Sequence, residues 1–410
     1  MSAVLDVLRE RGFVAQVSDE VALGAAFERG PVTAYCGFDP TAPSLTVGNL
    51  VAIMMLANLQ RAGHKPIVVV GGGTGMIGDP SGRTEMRQVL GVEQIKLNMA
   101  GQRSQFSRYI DFSDGRALMI DNGDWLLSFK YIEFLRDVGR YFTVNQLLQH
   151  STYRERLAED SLSFIELNYA LLQAFDFLHL YRTHGCTLQV GGVDQWFNIL
   201  AGADLIRRAE GGQAYALVAP LITTASGEKM GKTAAGAVWL AAERTSPYAY
   251  YQFWINTADA DVERFLALFT FLPMDEIRRL GRLEGAELRQ AKAVLAFEAT
   301  SLTHGGEAAL AAQATSLALF GGDGDAEGAP ETSIARLRLE AGIELVDLLV
   351  ETGLRPSKRA ARDLIQQGGA YVNGDPVRDV KHVVDAAHVV QGVVLLRAGK
   401  KQFHRVVPAG

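Results

Sequence analysis

Apolar residues over the first half of the chain alternate between two rhythms. Short apolar runs at 32–36, 66–70, 118–120 and 187–190 read as strands. Between them, 50–61, 131–138, 164–180 and 195–209 carry apolar residues at helical spacing. Strands and helices alternating in this way predict an α/β fold with a parallel sheet. Such sheets hold ligands beyond the carboxyl ends of their strands. The loops after Cys36, Val70 and Val190 are therefore where chemistry is expected.

The rhythm changes near Ser246, which with Pro247 forms a helix start signal. From there to about 320 the pattern is helical, at 262–269, 274–280, 286–302 and 308–319, with no strand signal. Residues 321–330, rich in Gly, Asp and Ala, read as a mobile linker. A third unit begins near Ile343. Leu345, Leu348 and Leu349 form one apolar helical face ending at Gly353. Ser357 can cap a second helix over 358–367, stopped by Gly368-Gly369. Strands at 370–372 and 376–377 flank Asn373-Gly374, a tight hairpin signal.

Composition narrows the class. A chain of 410 residues is too long for one ordinary core and predicts two or three domains. The net charge of -6 excludes a nucleic-acid binder announced by overall charge, so an RNA contact must rest on a local patch. From 343 onward there are 10 Lys and Arg against 7 Asp and Glu, leaving that unit at +3 and the rest at -9, the asymmetry of a nucleic-acid-facing module. The two cysteines, Cys36 and Cys186, stand far apart without clustered His, which argues against zinc and disulfides and fits a reducing compartment. The N-terminus carries Asp6, Arg9 and Glu10 and is no signal peptide. The apolar runs near 51–59 and 66–78 are too short or too Gly-rich to span a bilayer, so a soluble cytoplasmic protein is expected.

Three stretches carry candidate chemistry. Gly71 to Gly78 contains G-x-G-x-x-G after an apolar strand, the dinucleotide fingerprint, but the turn sequence Asp79-Pro80-Ser81-Gly82 follows where a helix is required. The alternative is a Gly-rich strand end that admits close backbone packing. Tyr35 to Leu45 follows the first strand and leads to Gly48 and a helix, a turn suited to a nucleotide phosphate at a helix start. Lys229 and Lys232, three apart on a Gly-containing loop, can close over phosphates or belong to a solvated basic loop.

Together these stretches resemble the class I aminoacyl-tRNA synthetases, specifically the bacterial tyrosyl type. Lys229-Met230-Gly231-Lys232-Thr233 is similar to the KMSKS loop, and Tyr35 to Leu50 to the segment ending in the HIGH signature. Gly72 to Gly82, Tyr169 to Asp176, Gly191 to Trp196 and Thr245 to Tyr248 match tyrosyl-enzyme segments in order. The terminal unit resembles a small RNA-binding module shared with a ribosomal small-subunit protein. The resemblance runs from about residue 30 to the end. It implies a Rossmann-like parallel-sheet catalytic domain over 1–228 and a lysine loop with a helical anticodon-side domain over 229–320. A linker over 321–342 and a small C-terminal α+β RNA-binding module over 343–410 complete the expected division.

Roles carry over by position as implications of that resemblance. Tyr35 and Asp176 match the pair that binds the substrate phenol. Asp79, Tyr169 and Gln173 match the ammonium site, and Gln195 the residue near the carboxylate. Cys36 and Asp194 match ribose contacts; Gly48, Leu221 and Ile222 match adenine contacts. Thr41, Arg83, Arg87, Lys229 and Lys232 match the groups on departing pyrophosphate. Where the family commonly has His-x-Gly-His, this chain has Thr46-Val47-Gly48-Asn49. Thr46 and Asn49 can donate to phosphate oxygens, but neither becomes cationic, which bears on the rate of adenylate formation.

The expected activity is ligation of tyrosine to tRNA(Tyr) through a tyrosyl-adenylate. ATP enters as a substrate with Mg²⁺, with no tightly bound metal or organic cofactor. Arg355, Lys358, Arg359 and Arg362 are the candidate tRNA contacts. A homodimer is implied, and Tyr131, Ile132, Phe134, Leu135 and Val138 fit either a subunit contact or a plain core helix. A tryptophanyl enzyme would lack the phenol-reading pair and the terminal module. An RNA chaperone on a catalytically dead scaffold would not need Lys229, Lys232 and Asp176.

Overall fold

The computed structural model describes residues 2–79, 91–149, 153–154, 157–158, 162–225, 227, 230–233, 236–320, 329–399 and 402–409, with the backbone alone at 232–233 and 319–320. Two compact units divide it: Met1–Met230 with Trp239–Ala241 and Ala258–Ala291, and Gly231–Val238 with Ala242–Thr257 and Lys292–Gly410.

The first unit is built on a six-stranded sheet. Its strands are β1 (Gln16–Val17), β2 (Thr33–Phe38), β3 (Lys65–Val70), β4 (Leu118–Asp121), β5 (Cys186–Gly192) and β6 (Tyr215–Ala219). They lie in the order β1-β6-β5-β2-β3-β4, parallel except for β1. Ile67, Val68 and Val69 are all buried, so both faces of the sheet are covered and the strand reads as a continuous apolar run. One face packs on helices α3 (Phe164–His184) and α4 (Trp196–Glu210) through Ile67, Val69, Ala174, Phe177, Ile199, Leu205 and Val218. Two earlier helices are α1 (Ala3–Glu10) and α2 (Leu50–Arg61), the latter buried at nine of its twelve residues. Helix α3 starts on a Ser163/Glu166 capping box and stops at Gly185, whose φ of 60° is left-handed. Arg11, just past α1, donates to the carbonyls of Ala267, Thr270 and Leu272 and so closes the end of helix α5 (Val262–Phe269).

From β2 the chain winds outward through β3 and β4, and β5 returns on the other side of β2. The crevice at this switch point opens beyond the carboxyl ends of β2 and β5, the place where doubly wound sheets bind ligands.

In the second unit, β7 (Lys232–Thr233) and β8 (Gly236–Ala237) form a short hairpin. Ser246 accepts from the Ala249 N–H and caps the helix Pro247–Ile255, as its Ser-Pro signal predicts. Tyr250 and Gln252 of that helix bond Thr303 and Ser316 of the helices Leu288–His304 and Gly306–Phe320. The terminal module has its own core, drawn from Ile334 to Val406. Its strands are β9 (Glu331–Ala335), β10 (Ile343–Glu344), β11 (Ala370–Val372), β12 (Asp375–Val377), β13 (Val383–Val384), β14 (Val394–Ala398) and β15 (Gln402–Ala409). Five of them form a sheet in the order β12-β11-β14-β15-β9, and its two longer helices are α6 (Leu345–Glu351) and α7 (Lys358–Gln366), after a short helix over Arg336–Glu340. Asn373 and Gly374 take φ of 51° and 92°, the two positive values of a type I′ hairpin. Strand β9 escaped the sequence reading, because its partner β15 lies about seventy residues away and pairs with it in parallel. Residues 321–328 of the expected linker lie outside the described residues.

Candidate active site

Three loops rise from the carboxyl ends of β2, β3 and β5, as the α/β pattern predicts, and a fourth rises from β4. The β3 loop holds the glycines. It folds as one short turn, Thr74–Met76. A Cβ on Gly71 would stand 2.6 Å from Asp39 Oδ1, and one on Gly72 would stand 2.1 Å from Asp121 Oδ1. The Gly72 and Gly73 N–H groups already donate to Asp121 Oδ1 and Asn122 Oδ1. Donors satisfied by side chains do not cradle a pyrophosphate, so the close-packing reading of these glycines holds and the dinucleotide reading fails.

Asp176, on α3, is buried and accepts from two side chains. Trp125 Nε1 donates to Oδ1 at 2.8 Å, and Asn122 Nδ2 donates to Oδ2 at 2.9 Å. Burial pushes this carboxyl up to about 7; the two donors pull it down, and Asp39 and Asp121 push it up. Tyr35, on β2, is fully buried, and its hydroxyl has no hydrogen-bond partner among the described residues. Burial first, then the charge of Asp176, holds its phenol well above the ordinary range. A buried donor without a partner beside a buried acceptor calls for a third group that bonds both.

Asp79, Gln195 and Gln173 form a second chain. Gln195 Nε2 donates to Asp79 Oδ2 at 2.5 Å, and Gln173 Nε2 donates to Gln195 Oε1 at 3.2 Å. Tyr169 is buried one helical turn before Gln173. A carboxylate beside two amide side chains suits an ammonium group. Cys36 is buried, and burial followed by the charge of Asp194 raises its thiol to about 12, so it is a neutral hydrogen-bonding group and not a nucleophile. Asp194 sits in the short turn after β5, where its Oδ1 would lie 2.5 Å from a Cβ on Gly192.

Thr46 and Asn49 close the turn that leads into α2. Asn49 Oδ1 accepts from the Thr46 N–H at 2.9 Å and from Thr46 Oγ1 at 3.0 Å. Both acceptor bonds use the oxygen, so Asn49 Nδ2 remains as a donor. A Cβ on the exposed Gly48 would meet the Met230 carbonyl at 3.3 Å. Ile222 is buried and its carbonyl accepts from the Met230 N–H, while Leu221 is 55 % exposed. Thr41 is exposed. Arg83, Arg87 and Lys229 lie outside the described residues, and of Lys232 only the backbone is described, in β7.

In the terminal module, Lys358, Arg359 and Arg362 are exposed on α7 and Arg355 is half-buried. Lys358 pairs with Asp347 at 2.8 Å, and Arg355 donates to Gln402 Oε1 at 2.7 Å. Arg359 and Arg362 have no partner among the described residues.

Sequence reasoning missed Asn122 and Trp125. The signal was available: β4 is also a strand of the parallel sheet, and the loop beyond its carboxyl end was open to the same rule as the other three. The helix Tyr131–Asp137 is a core helix on one side only. Phe134 and Val138 are core, whereas Tyr131 and Ile132 are 60 % and 72 % exposed. Among the described residues no cluster of His, Cys, Asp and Glu is placed to hold a metal ion, and no helix is long and apolar enough to cross a membrane.

Comparison with known proteins places the chain in a family. The family of class I tRNA synthetases for tryptophan and tyrosine matches residues 28–321, and the C-terminal domain of tyrosine–tRNA ligases matches residues 326–406. The chain is 51 % identical to the tyrosine–tRNA ligase of Caldanaerobacter subterraneus over 99 % of both chains, and 52 % identical to that of Desulfosudis oleivorans over 99 % of both. Its fold is similar to a C-terminally truncated mitochondrial tyrosyl-tRNA synthetase of Aspergillus nidulans, with a TM-score of 0.71 and 31 % identity over 78 % of this chain and 95 % of that one. The chain thus belongs to the class I aminoacyl-tRNA synthetases. Within that class it falls among the bacterial-type tyrosine–tRNA ligases.

Proposed function

We propose that this tyrosine–tRNA ligase forms tyrosyl-adenylate in the crevice between β2 and β5 and passes the tyrosyl group to the 3′ end of tRNA(Tyr). The observation that carries this reading is the unpartnered, buried Tyr35 hydroxyl beside the buried Asp176 carboxylate. A substrate phenol satisfies both, donating to Asp176 and accepting from Tyr35. The ammonium group sits among Asp79, Tyr169 and Gln173, with Gln195 toward the carboxylate. Cys36 and Asp194 take the ribose, and Gly48, Leu221 and Ile222 take the adenine.

In the first step a tyrosine carboxylate oxygen attacks the α-phosphorus of Mg²⁺-ATP, and the bond to pyrophosphate breaks. The carboxylate is already a nucleophile, so no general base is needed. Rate comes from positioning and from groups that meet the charge developing on pyrophosphate. Those groups are Thr41, Arg83, Arg87, Lys229 and Lys232, with Thr46 and Asn49 as neutral donors. In the second step a terminal ribose hydroxyl of tRNA attacks the carbonyl and AMP leaves.

The terminal module, from β9 onward, holds the tRNA body, through Arg359 and Arg362 foremost. The working form is a cytoplasmic homodimer. Its support is the exposed apolar residues Tyr131 and Ile132, together with Leu135, Val144 and Phe164, which line a groove of about 390 Å³.

The test is exchange of pyrophosphate into ATP, driven by tyrosine, phenylalanine or tryptophan. Exchange is expected with tyrosine alone. A site built round a substrate hydroxyl rejects the analogue lacking it by about 10⁵, a figure measured on this enzyme class itself. Equal exchange with phenylalanine overturns the assignment of Tyr35 and Asp176.

A further inference from the structure

The helix Val92–Phe106 carries a row of amide side chains at helical spacing: Asn98, Gln102 and Gln105. All three reach the loop between β2 and α2. Asn98 Nδ2 donates to the Pro40 carbonyl at 2.8 Å, and Gln102 Nε2 donates to the Ala42 carbonyl at 2.8 Å. Gln105 Oε1 accepts from the Leu45 N–H at 2.9 Å. Asn98 and Gln102 are 1 % and 2 % exposed. Gln94 Nε2 donates to Asn98 Oδ1 at 2.9 Å, which turns the Asn98 donor toward Pro40. Between the donors, Gly101 lies against the loop so closely that a Cβ there would stand 2.2 Å from the Pro43 carbonyl oxygen.

The two clamped carbonyls belong to the residues on either side of Thr41. That residue is exposed, and its N–H folds back onto the Asp39 carbonyl at 2.9 Å. A loop with Pro40 and Pro43 has few N–H groups for internal bonds, so it depends on an outside partner for its shape. The helix supplies that partner, and it contacts none of the groups assigned to tyrosine in any hydrogen bond described above.

We infer that Asn98, Gln102 and Gln105 are positioning residues for adenylate formation: they set the loop that aims Thr41 at the departing pyrophosphate. The inference rests on the pyrophosphate role proposed for Thr41. It matters in this chain because the turn that follows, Thr46 to Asn49, is neutral. Rate then depends on how accurately uncharged donors are held, since preorganised donors need no rearrangement as charge develops.

Isosteric variants give opposite predictions for the donors and the acceptor. Asn98→Asp and Gln102→Glu keep shape and, with the new carboxyl ionised, set an acceptor against the clamped carbonyl in place of the donor, and each is expected to lower kcat of tyrosine-dependent pyrophosphate exchange about tenfold. Gln105→Glu keeps its acceptor oxygen and is expected to stay within about twofold of wild type. The tyrosine dissociation constant, read by equilibrium dialysis, stays unchanged in all three. In a Thr41→Ala background the loss from Asn98→Asp shrinks, because both changes act on one interaction. Should Asn98→Asp prove too unstable to purify, Gln102→Ala removes a donor without adding a charge and carries the same test. Wild-type kcat in Asn98→Asp and Gln102→Glu, or losses that multiply fully with Thr41→Ala, overturn the inference. An unchanged kcat in Thr41→Ala alone instead overturns the role proposed for Thr41.

Discussion

Trp125 Nε1 donates to Asp176 Oδ1 at 2.8 Å, and the indole ring lies stacked on His179, 4.3 Å between centroids. His179 is one helical turn beyond Asp176, so α3 grips the indole at its N–H and on its face. The carboxylate proposed to read the substrate phenol is thus held by a residue from the β4 loop.

Removing that donor is expected to weaken tyrosine specifically. A hydrogen bond to a charged group contributes about 1.5–3 kcal/mol, so Trp125→Phe lowers kcat/KM for tyrosine roughly ten- to a hundredfold and leaves the KM for ATP near wild type. Steady-state exchange kinetics with each substrate varied in turn checks this. Equal losses for both substrates would mean that Trp125 acts on folding alone.

Asp176 also predicts a pH dependence. Its carboxyl is raised to about 7 in the folded protein, so it becomes protonated as pH falls through that value. The protonated form has less acceptor capacity for the phenol. The kcat/KM for tyrosine is therefore expected to be level above about pH 8, to reach about half at pH 7 and to fall roughly tenfold per pH unit well below that. This quantity reports the free enzyme. Trp125→Phe removes a group that lowers this pKa and moves the midpoint upward. A flat profile from pH 6 to 8 would remove Asp176 from the phenol site.

Lys232 is expected to act on charge that exists mainly in the transition state. Lys232→Ala should then lower kcat and kcat/KM for ATP together, by roughly two orders of magnitude if the loss resembles that of one oxyanion-stabilising donor. A raised KM for ATP at unchanged kcat would show that the loop only binds ATP.

The terminal module has a core of its own, from Ile334 to Val406. Every residue assigned to ATP or tyrosine precedes it. A fragment ending near residue 325 is expected to fold and to make tyrosyl-adenylate, but to charge tRNA very poorly. In the full chain, charging is expected to fall with rising salt, and Arg359→Ala with Arg362→Ala to reduce that salt dependence. Full charging by the fragment at moderate salt refutes the role given to the module.

Elements whose information is local were legible in the sequence. Residues 66–70 form a strand buried on both faces, which reads as an unbroken apolar run, and Lys65–Val70 is the strand observed. Helix 50–61, the Ser246-Pro247 helix start and the Asn373-Gly374 hairpin were legible for the same reason. Each is decided by residues within a few positions of one another. Ordered motifs singled out Tyr35, Asp176, Asp79 and Gln195 as candidates, and the parallel sheet named three of the four loops that carry the candidate site.

What the sequence left open was decided by contacts across long separations. Asn122 and Trp125 meet Asp176 from 54 and 51 positions away, and Asn98 meets Pro40 from 58. An amide that bonds a distant carbonyl leaves no apolar signal, since any polar residue on that face reads as solvated. The glycines of the β3 loop show the same limit. Their spacing alone fits a dinucleotide loop, and only the packed carboxylates of Asp39 and Asp121 show that they make room for side chains. Local propensity and order of motifs thus determined the fold class and marked the candidate site residues. Tertiary packing decided which polar groups hold that set in place, because a hydrogen bond is chosen by distance in space and the chain records only distance along itself.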